Sequence, residues 1–275
     1  MTAKRFLIEV STAPGDIIGN LFRYRHILAR MVVNEIKGRF AGSVGGLFWH
    51  FLHPILMLII YLFVFVHVFK MRIGGGGSVA SSIYLMAGLF PWIIMSEGLL
   101  RGTSAVIENS NLIQKSSFPT EILTAKAVLA PLLSYGIALF LLMLYVSVVH
   151  VSADALLLVP LILIVQTFFS AGVVFLTSTL SVYFRDTLQL VQVMVNFWMY
   201  VTPILYPVDM LPEWARRVMY LNPLYPLVSA YQSVLVNGSM GNWTMLLFSA
   251  AWASVFFVSG AFVFNKLKYE FADWL

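Results

Sequence analysis

The chain has 275 residues, 60 % of them hydrophobic and only 11 % charged, with a net charge of +5. A soluble domain is about a quarter charged, so these few charges cannot cover a water-facing surface, and the implied solvent is a bilayer. The absence of cysteine excludes a disulfide framework and any thiolate metal or redox centre, and in a membrane protein the basic excess points to lipid headgroups and cytoplasmic loops rather than to nucleic acid.

The first 45 residues are mixed in character and lack the apolar core and small-residue cleavage site of a signal peptide. Residues 21–46 read as an amphipathic helix lying in the membrane interface. Within it Arg23, His26, Arg30, Asn34 and Lys37 are spaced 3, 4, 4 and 3 apart, which sets them on one stripe. Leu21, Leu28, Met31, Val32 and Ile36 fall on other faces. Six segments then supply the roughly 20 apolar residues a helical span requires: 47–69, 83–100, 127–151, 155–184, 187–206 and 243–264. All are expected to be helices, because lipid offers no partner to an open backbone amide.

Between the first two spans the run Gly74–Gly77 reads as slack in an outer loop. Between the second and third, the polar segment 108–118 reads as a short cytoplasmic helix, stopped at Phe118 by Pro119. Residues 207–236 are cut by Pro207, Pro212, Pro223 and Pro226 into pieces too short to cross, and are expected as re-entrant helices at the outer face. With both termini cytoplasmic, 13 of the 17 Lys and Arg residues fall inside, and only Lys70, Arg72, Arg216 and Arg217 fall outside.

Several chemistries are missing. There is no G-x-x-x-x-G-K-[ST], no H-E-x-x-H and no G-x-S-x-G. The five histidines are scattered, and no metal site is expected. The first, third, fifth and sixth spans contain no acid, which argues against a proton-coupled carrier and against an intramembrane enzyme. Glu97 and Arg101, four residues apart at the inner end of the second span, are positioned to form a structural or gating ion pair. In the fifth span Gln189, Gln192 and Asn196 share a face close to Trp198 and Tyr200, and that face suits either helix contact or the lining of a pathway.

From Arg23 onward the stretch RYRHILARMVVNEIKGRFAGSVGGLFWHFLHPILMLIIYLFVFVHVF resembles the opening of ABC-2 type permeases, and most of all those that export lipid-linked polysaccharides such as O-antigen, capsule or teichoic acid. The matching residues are Lys37, Arg39, Phe40, Gly42, Ser43, Gly46, Trp49, Pro54 and Tyr61. Further matches follow in the family's order: GLFPW (88–92), NLIQKSSFPTEIL (111–123), FRDT (184–187), TPILYP (202–207) and NPLYPLVSAYQSVL (222–235). The chain departs from the family at Thr124, often Pro, at Gln232, often Arg, and at Glu97, commonly neutral.

The resemblance implies an all-α integral membrane protein, one ABC-2 transmembrane domain over residues 1–275, in the bacterial cytoplasmic (inner) membrane. It implies a homodimer of six-span subunits that transports a lipid-linked glycan and is not itself an enzyme. ATP and magnesium would be bound by a separate ABC ATPase subunit, with no cofactor in this chain. The 108–118 helix would be the coupling helix, with Glu108, Asn111, Leu112, Ile113, Gln114 and Lys115 meeting the ATPase and Leu112 and Ile113 as its apolar knob. Arg23, Arg25, Arg30, Lys37 and Arg39 would meet lipid headgroups. The path would run along the first and fifth spans, past Trp49, Tyr61, Gln189, Gln192, Asn196, Trp198 and Tyr200. An exporter of a drug or small lipid from the same family shares these motifs and stands as the alternative, with a secondary transporter further off.

Overall fold

The computed structural model describes residues 3–38, 48–68, 77–115, 118–149 and 153–275, and these are helical almost throughout, with no strand among them. The expected interfacial helix over 21–46 is instead two helices, α1 (Ala3–Arg23) and α2 (Arg25–Gly38), which break at Tyr24. Arg39 and the rest of the segment to residue 46 lie outside the described residues, as do Gly74–Gly76 of the glycine run. α1 packs against the bundle. Ala13 and Ile17 are fully buried where it packs along the last long helix.

Next comes α3 (Phe48–Phe63), which continues into a π-helical turn at Val64–Val68, and then α4 (Ser78–Glu108). α4 overruns the expected 83–100 at both ends. Its polar final turns are satisfied within the protein: the Thr103 hydroxyl donates to the Leu99 carbonyl at 2.7 Å, and Ser181 donates to the Thr103 carbonyl at 2.6 Å. α5 (Ser110–Lys115) is a single turn and a half, followed by α6 (Glu121–Val149). The expected 155–184 helix divides into a short α7 (Ala153–Leu156) and a long α8 (Leu158–Tyr183). α9 (Thr187–Val201) ends five residues before the predicted limit, and the chain turns through 202–206. After a 3₁₀ turn at Val208–Met210 come the short α10 (Glu213–Met219) and α11 (Leu224–Asn237). Gly238, at φ 66°, closes α11 in the left-handed conformation that glycine adopts without cost. Asn242 caps α12 (Trp243–Leu267) by accepting from the Thr244 amide at 2.9 Å. A 3₁₀ turn at Lys268–Glu270 and the final turn α13 (Phe271–Trp274) complete the chain.

Among the described residues four helices are long and apolar enough to cross a membrane: Val79–Glu108, Glu121–Val148, Leu158–Tyr183 and Trp243–Trp274. α3 has 16 residues before its π turn, and α9 has 15, or about 22 Å against a hydrocarbon core of about 30 Å. The tightest packing joins α8 to α12, where Gly172 and Gly260 let two backbones touch. Three edge-to-face ring pairs flank that point: Phe169 with Phe256 and Phe168 with Phe257 at 5.1 Å, and Phe175 with Phe257 at 6.2 Å. The large core centres on α4, with α6, α8 and α11 around it; a second one, built on Ile17, Phe175, Phe264 and Phe271, ties both chain ends to the bundle. α3 and α9 stay peripheral. Ile59 and Phe63 are more than half exposed, and so are Leu190, Val193 and Phe197.

Candidate functional site

One end of the bundle gathers α1, α2, the end of α4, α5, the start of α6 and the C-terminal turns. Asn109 breaks α4 and starts α5; its side-chain amide donates back to the Ala105 carbonyl at 2.7 Å. The chain re-enters helix at the next residue, Ser110. Glu108, Asn111, Leu112, Gln114 and Lys115 all face outward. Ile113 does not. It is 9 % exposed and packs with the cluster of Ala105, Val106, Leu123 and Phe271. The expected two-residue apolar knob is therefore a single outward Leu112, 37 % exposed, on a turn that Ile113 anchors. The correction follows from tertiary packing, because Ile113 falls on the side of α5 that this cluster covers.

Beside α5 lies a groove of about 650 Å³ lined by Asn20, Gln114, Lys115, Glu121, Lys268 and Tyr269. At its floor the Glu121 carboxylate is 1 % exposed. It accepts from the Asn20 amide at 2.5 Å and from the Lys268 ammonium at 3.4 Å. A buried carboxylate needs such partners to stay charged. Three distant stretches of chain are thereby joined at one oxygen atom. None of these three residues stood out in the sequence, since pairs 101 and 147 positions apart leave no periodic trace.

A second polar cluster holds α2. Arg101 donates through Nε to Glu97 at 2.6 Å and through Nη1 to Glu35 Oε1 at 2.9 Å, while Lys126 reaches Glu35 Oε2 at 3.0 Å. The Glu97–Arg101 pair expected from spacing is present, but it is half of a larger arrangement whose centre is Glu35 on another helix. Of the basic stripe, Arg23, His26, Arg30, Asn34 and Lys37 are all exposed, as is Arg25, whose guanidinium donates to the Phe22 carbonyl at 3.2 Å. Val32 is the buried residue of α2.

The expected path residues separate. Gln189, Gln192, Asn196 and Tyr200 are exposed on the free side of α9, and Trp49 is exposed on α3. Tyr61 is partly buried, its ring 6.3 Å from that of Phe90. Trp198 is turned inward: its indole N–H donates to Asn222 Oδ1 at 2.9 Å, and the Asn222 amide donates to the Thr202 hydroxyl at 3.0 Å. Trp198 thus fixes the 207–236 region instead of lining the exposed face. Two more buried amides serve that region. Tyr231 donates to Gln166 at 2.8 Å, Gln166 donates to the Pro91 carbonyl at 2.8 Å, and Gln232 donates to the Pro203 carbonyl at 3.1 Å.

Known proteins match the chain over most of its length. Residues 28–236 match the family described as ABC-2 type transporter. An O-antigen export system permease protein RfbA from Myxococcus xanthus is 26 % identical over 260 residues, covering 94 % of this chain and 98 % of that protein. Two proteins of the same name from Klebsiella pneumoniae are 29 % and 30 % identical, each covering 94 % of this chain and 97 % of their own length.

Proposed function

We propose, from the premise that the chain belongs to the ABC-2 type transporter family, that it is the transmembrane subunit of an ABC exporter moving a lipid-linked polysaccharide. The observation that carries this reading is the near end-to-end match to three O-antigen export permeases at 26–30 % identity. The subunit is a multi-pass protein of the bacterial inner membrane with both termini cytoplasmic, and it works as a homodimer. Six crossings are counted by adding α3 and α9 to the four long helices. Hydrolysis takes place on a separate ABC ATPase, which holds ATP and magnesium. That partner docks on Glu108 at the end of α4 and on the outward residues of α5, Asn111, Leu112, Gln114 and Lys115, and force enters the bundle through Ile113. The exposed faces of α3 and α9 meet those of a second copy. There Gln189, Gln192 and Asn196 offer amides to sugar hydroxyls, and Trp49 and Tyr200 offer apolar ring faces. The exposed cations of α1 and α2 rest among anionic headgroups.

Co-expression with a candidate ABC ATPase tests the reading. A stable complex is expected, with ATP hydrolysis stimulated by a lipid-linked glycan and export that stops when ATP is depleted. Stimulation by small amphiphiles but not by glycan favours the drug or small-lipid alternative. No complex, together with export that continues without ATP, overturns the whole reading.

A further inference from the structure

Glu35 bridges two cations with its two oxygens: Oε1 lies 2.9 Å from Arg101 Nη1 and Oε2 lies 3.0 Å from Lys126 Nζ. Those cations stand on different helices, α4 and α6, and the carboxylate arrives from a third, α2. We propose that Arg101 and Lys126 form a binding site for the phosphoryl group of a lipid headgroup or of a free diphosphate, and that Glu35 fills this site at rest. The proposal rests on the exporter reading for its location at the inner headgroup level.

The geometry carries it in three steps. Two oxygens of one carboxylate at these distances occupy the positions that two oxygens of a phosphoryl group take against an Arg–Lys pair. A groove of about 530 Å³ opens on the pair, lined by Met31, Asn34, Glu35, Gly38, Arg101 and Lys126, so an incoming anion has a route. Charge also suits the exchange. Glu35 and Glu97 neutralise Arg101 and Lys126, and when Glu35 leaves, one positive charge remains for the ligand.

The held groups differ in solvent access. The Lys126 side chain is 15 % exposed, Glu35 24 % and Arg101 39 %. An ion pair that water can reach is worth little on its own, so a stronger anion displaces it readily. A phosphoryl group carries more charge and more acceptor oxygens than a carboxylate. The consequence falls on α2. α2 packs chiefly on α6, and the Glu35–Arg101 bridge ties it to α4. Phosphoryl binding therefore loosens α2 from α4.

The chain has no cysteine, so single labels can be placed cleanly. Spin labels at Val33→Cys on α2 and Ile107→Cys on α4 would be read by pulsed EPR in nanodiscs of neutral lipid. Doping the discs with a polyprenyl diphosphate is expected to lengthen the distance, and Glu35→Gln is expected to lengthen it without any ligand. Lys126→Gln, which leaves the Glu97–Arg101 pair in place, should weaken retention of the lipid phosphate in native mass spectrometry by roughly tenfold. Inorganic pyrophosphate at matched concentration separates the two sources: equal lengthening supports the site with a soluble ligand, and lengthening by the lipid alone supports it with a membrane ligand. A distance that ignores both phosphates, or that moves equally on adding neutral lipid, overturns the proposal. If glycan-stimulated hydrolysis persists while the phosphate response is absent, only the phosphoryl site fails. The reverse pattern removes only the exporter reading.

Discussion

Gly172 on α8 and Gly260 on α12 meet backbone to backbone. A Cβ on Gly260 would collide with the Gly172 carbonyl, and a Cβ on Gly172 would collide with the Phe256–Phe257 peptide. Small residues at such a crossing let main chains approach closely, which is how helices associate where lipid is as apolar as their side chains.

Gly172→Val is therefore expected to force α8 and α12 apart and to spoil the ring contacts on either side. Overpacking of this kind costs about 1–3 kcal/mol. The apparent unfolding midpoint in detergent should fall, and Gly136→Val should serve as control, because nothing stands within 4 Å of a Cβ there. Equal midpoints for both variants would contradict the crossing.

Neighbouring residues on α5 should behave oppositely. Ile113→Ala removes a buried anchor and is expected to cost about 2–5 kcal/mol. Leu112→Ala, at a position already exposed, should leave the midpoint unchanged yet reduce co-purification of the ATPase. A loss of ATPase for neither variant would remove α5 from the docking surface.

Asn222 holds three partners together: the Trp198 indole, the Thr202 hydroxyl and the Leu224 amide at 3.1 Å. Asn222→Leu leaves buried polar groups without partners, at about 1–3 kcal/mol for each. Circular dichroism during heating should report the loss. Gln192→Ala on the exposed face of α9 should show none, while slowing glycan export if that face lines the path. Full export rates with Gln192→Ala would argue against the lining.

The Glu121–Lys268 pair offers a double-mutant cycle. Lys268→Met strands a carboxylate that is 1 % exposed, at a cost of about 3–5 kcal/mol. Adding Glu121→Leu removes the stranded charge, and the double variant should recover much of the loss. Additive losses would mean that the two side chains act separately.

The reach of the sequence is clearest in contrasts. Hydropathy located α4, α6, α8 and α12, because an apolar run of about 20 residues matches the thickness of a bilayer and exceeds what a soluble core commonly buries in one helix. The inner end of α4 runs past the expected limit, since Ser181, 78 positions away, satisfies the Thr103 carbonyl there. Spacing found Glu97 with Arg101, which is a local pair, and overlooked Glu35, which is 66 positions from its partner. Trp198 shows the same limit. Its place beside an amide stripe suggested an exposed ring, and only the return of the chain at Asn222 turns it inward. α1 was passed over because its mixed composition hides the one face, at Ala13 and Ile17, that the bundle covers.

The oxygen shared by Asn20, Glu121 and Lys268 also bears on parity. A path that leaves one face of a membrane and returns to it crosses an even number of times. Among the described residues, the arc from 20 to 121 contains one long apolar helix, α4, and the arc from 121 to 268 contains three, α6, α8 and α12. Both counts are odd. If all four of those helices cross, each arc owes one crossing more, and the apolar segments left to supply it are α3 with its π turn in the first arc and α9 in the second. The two shortest of the six crossings would then be the ones that close the loop.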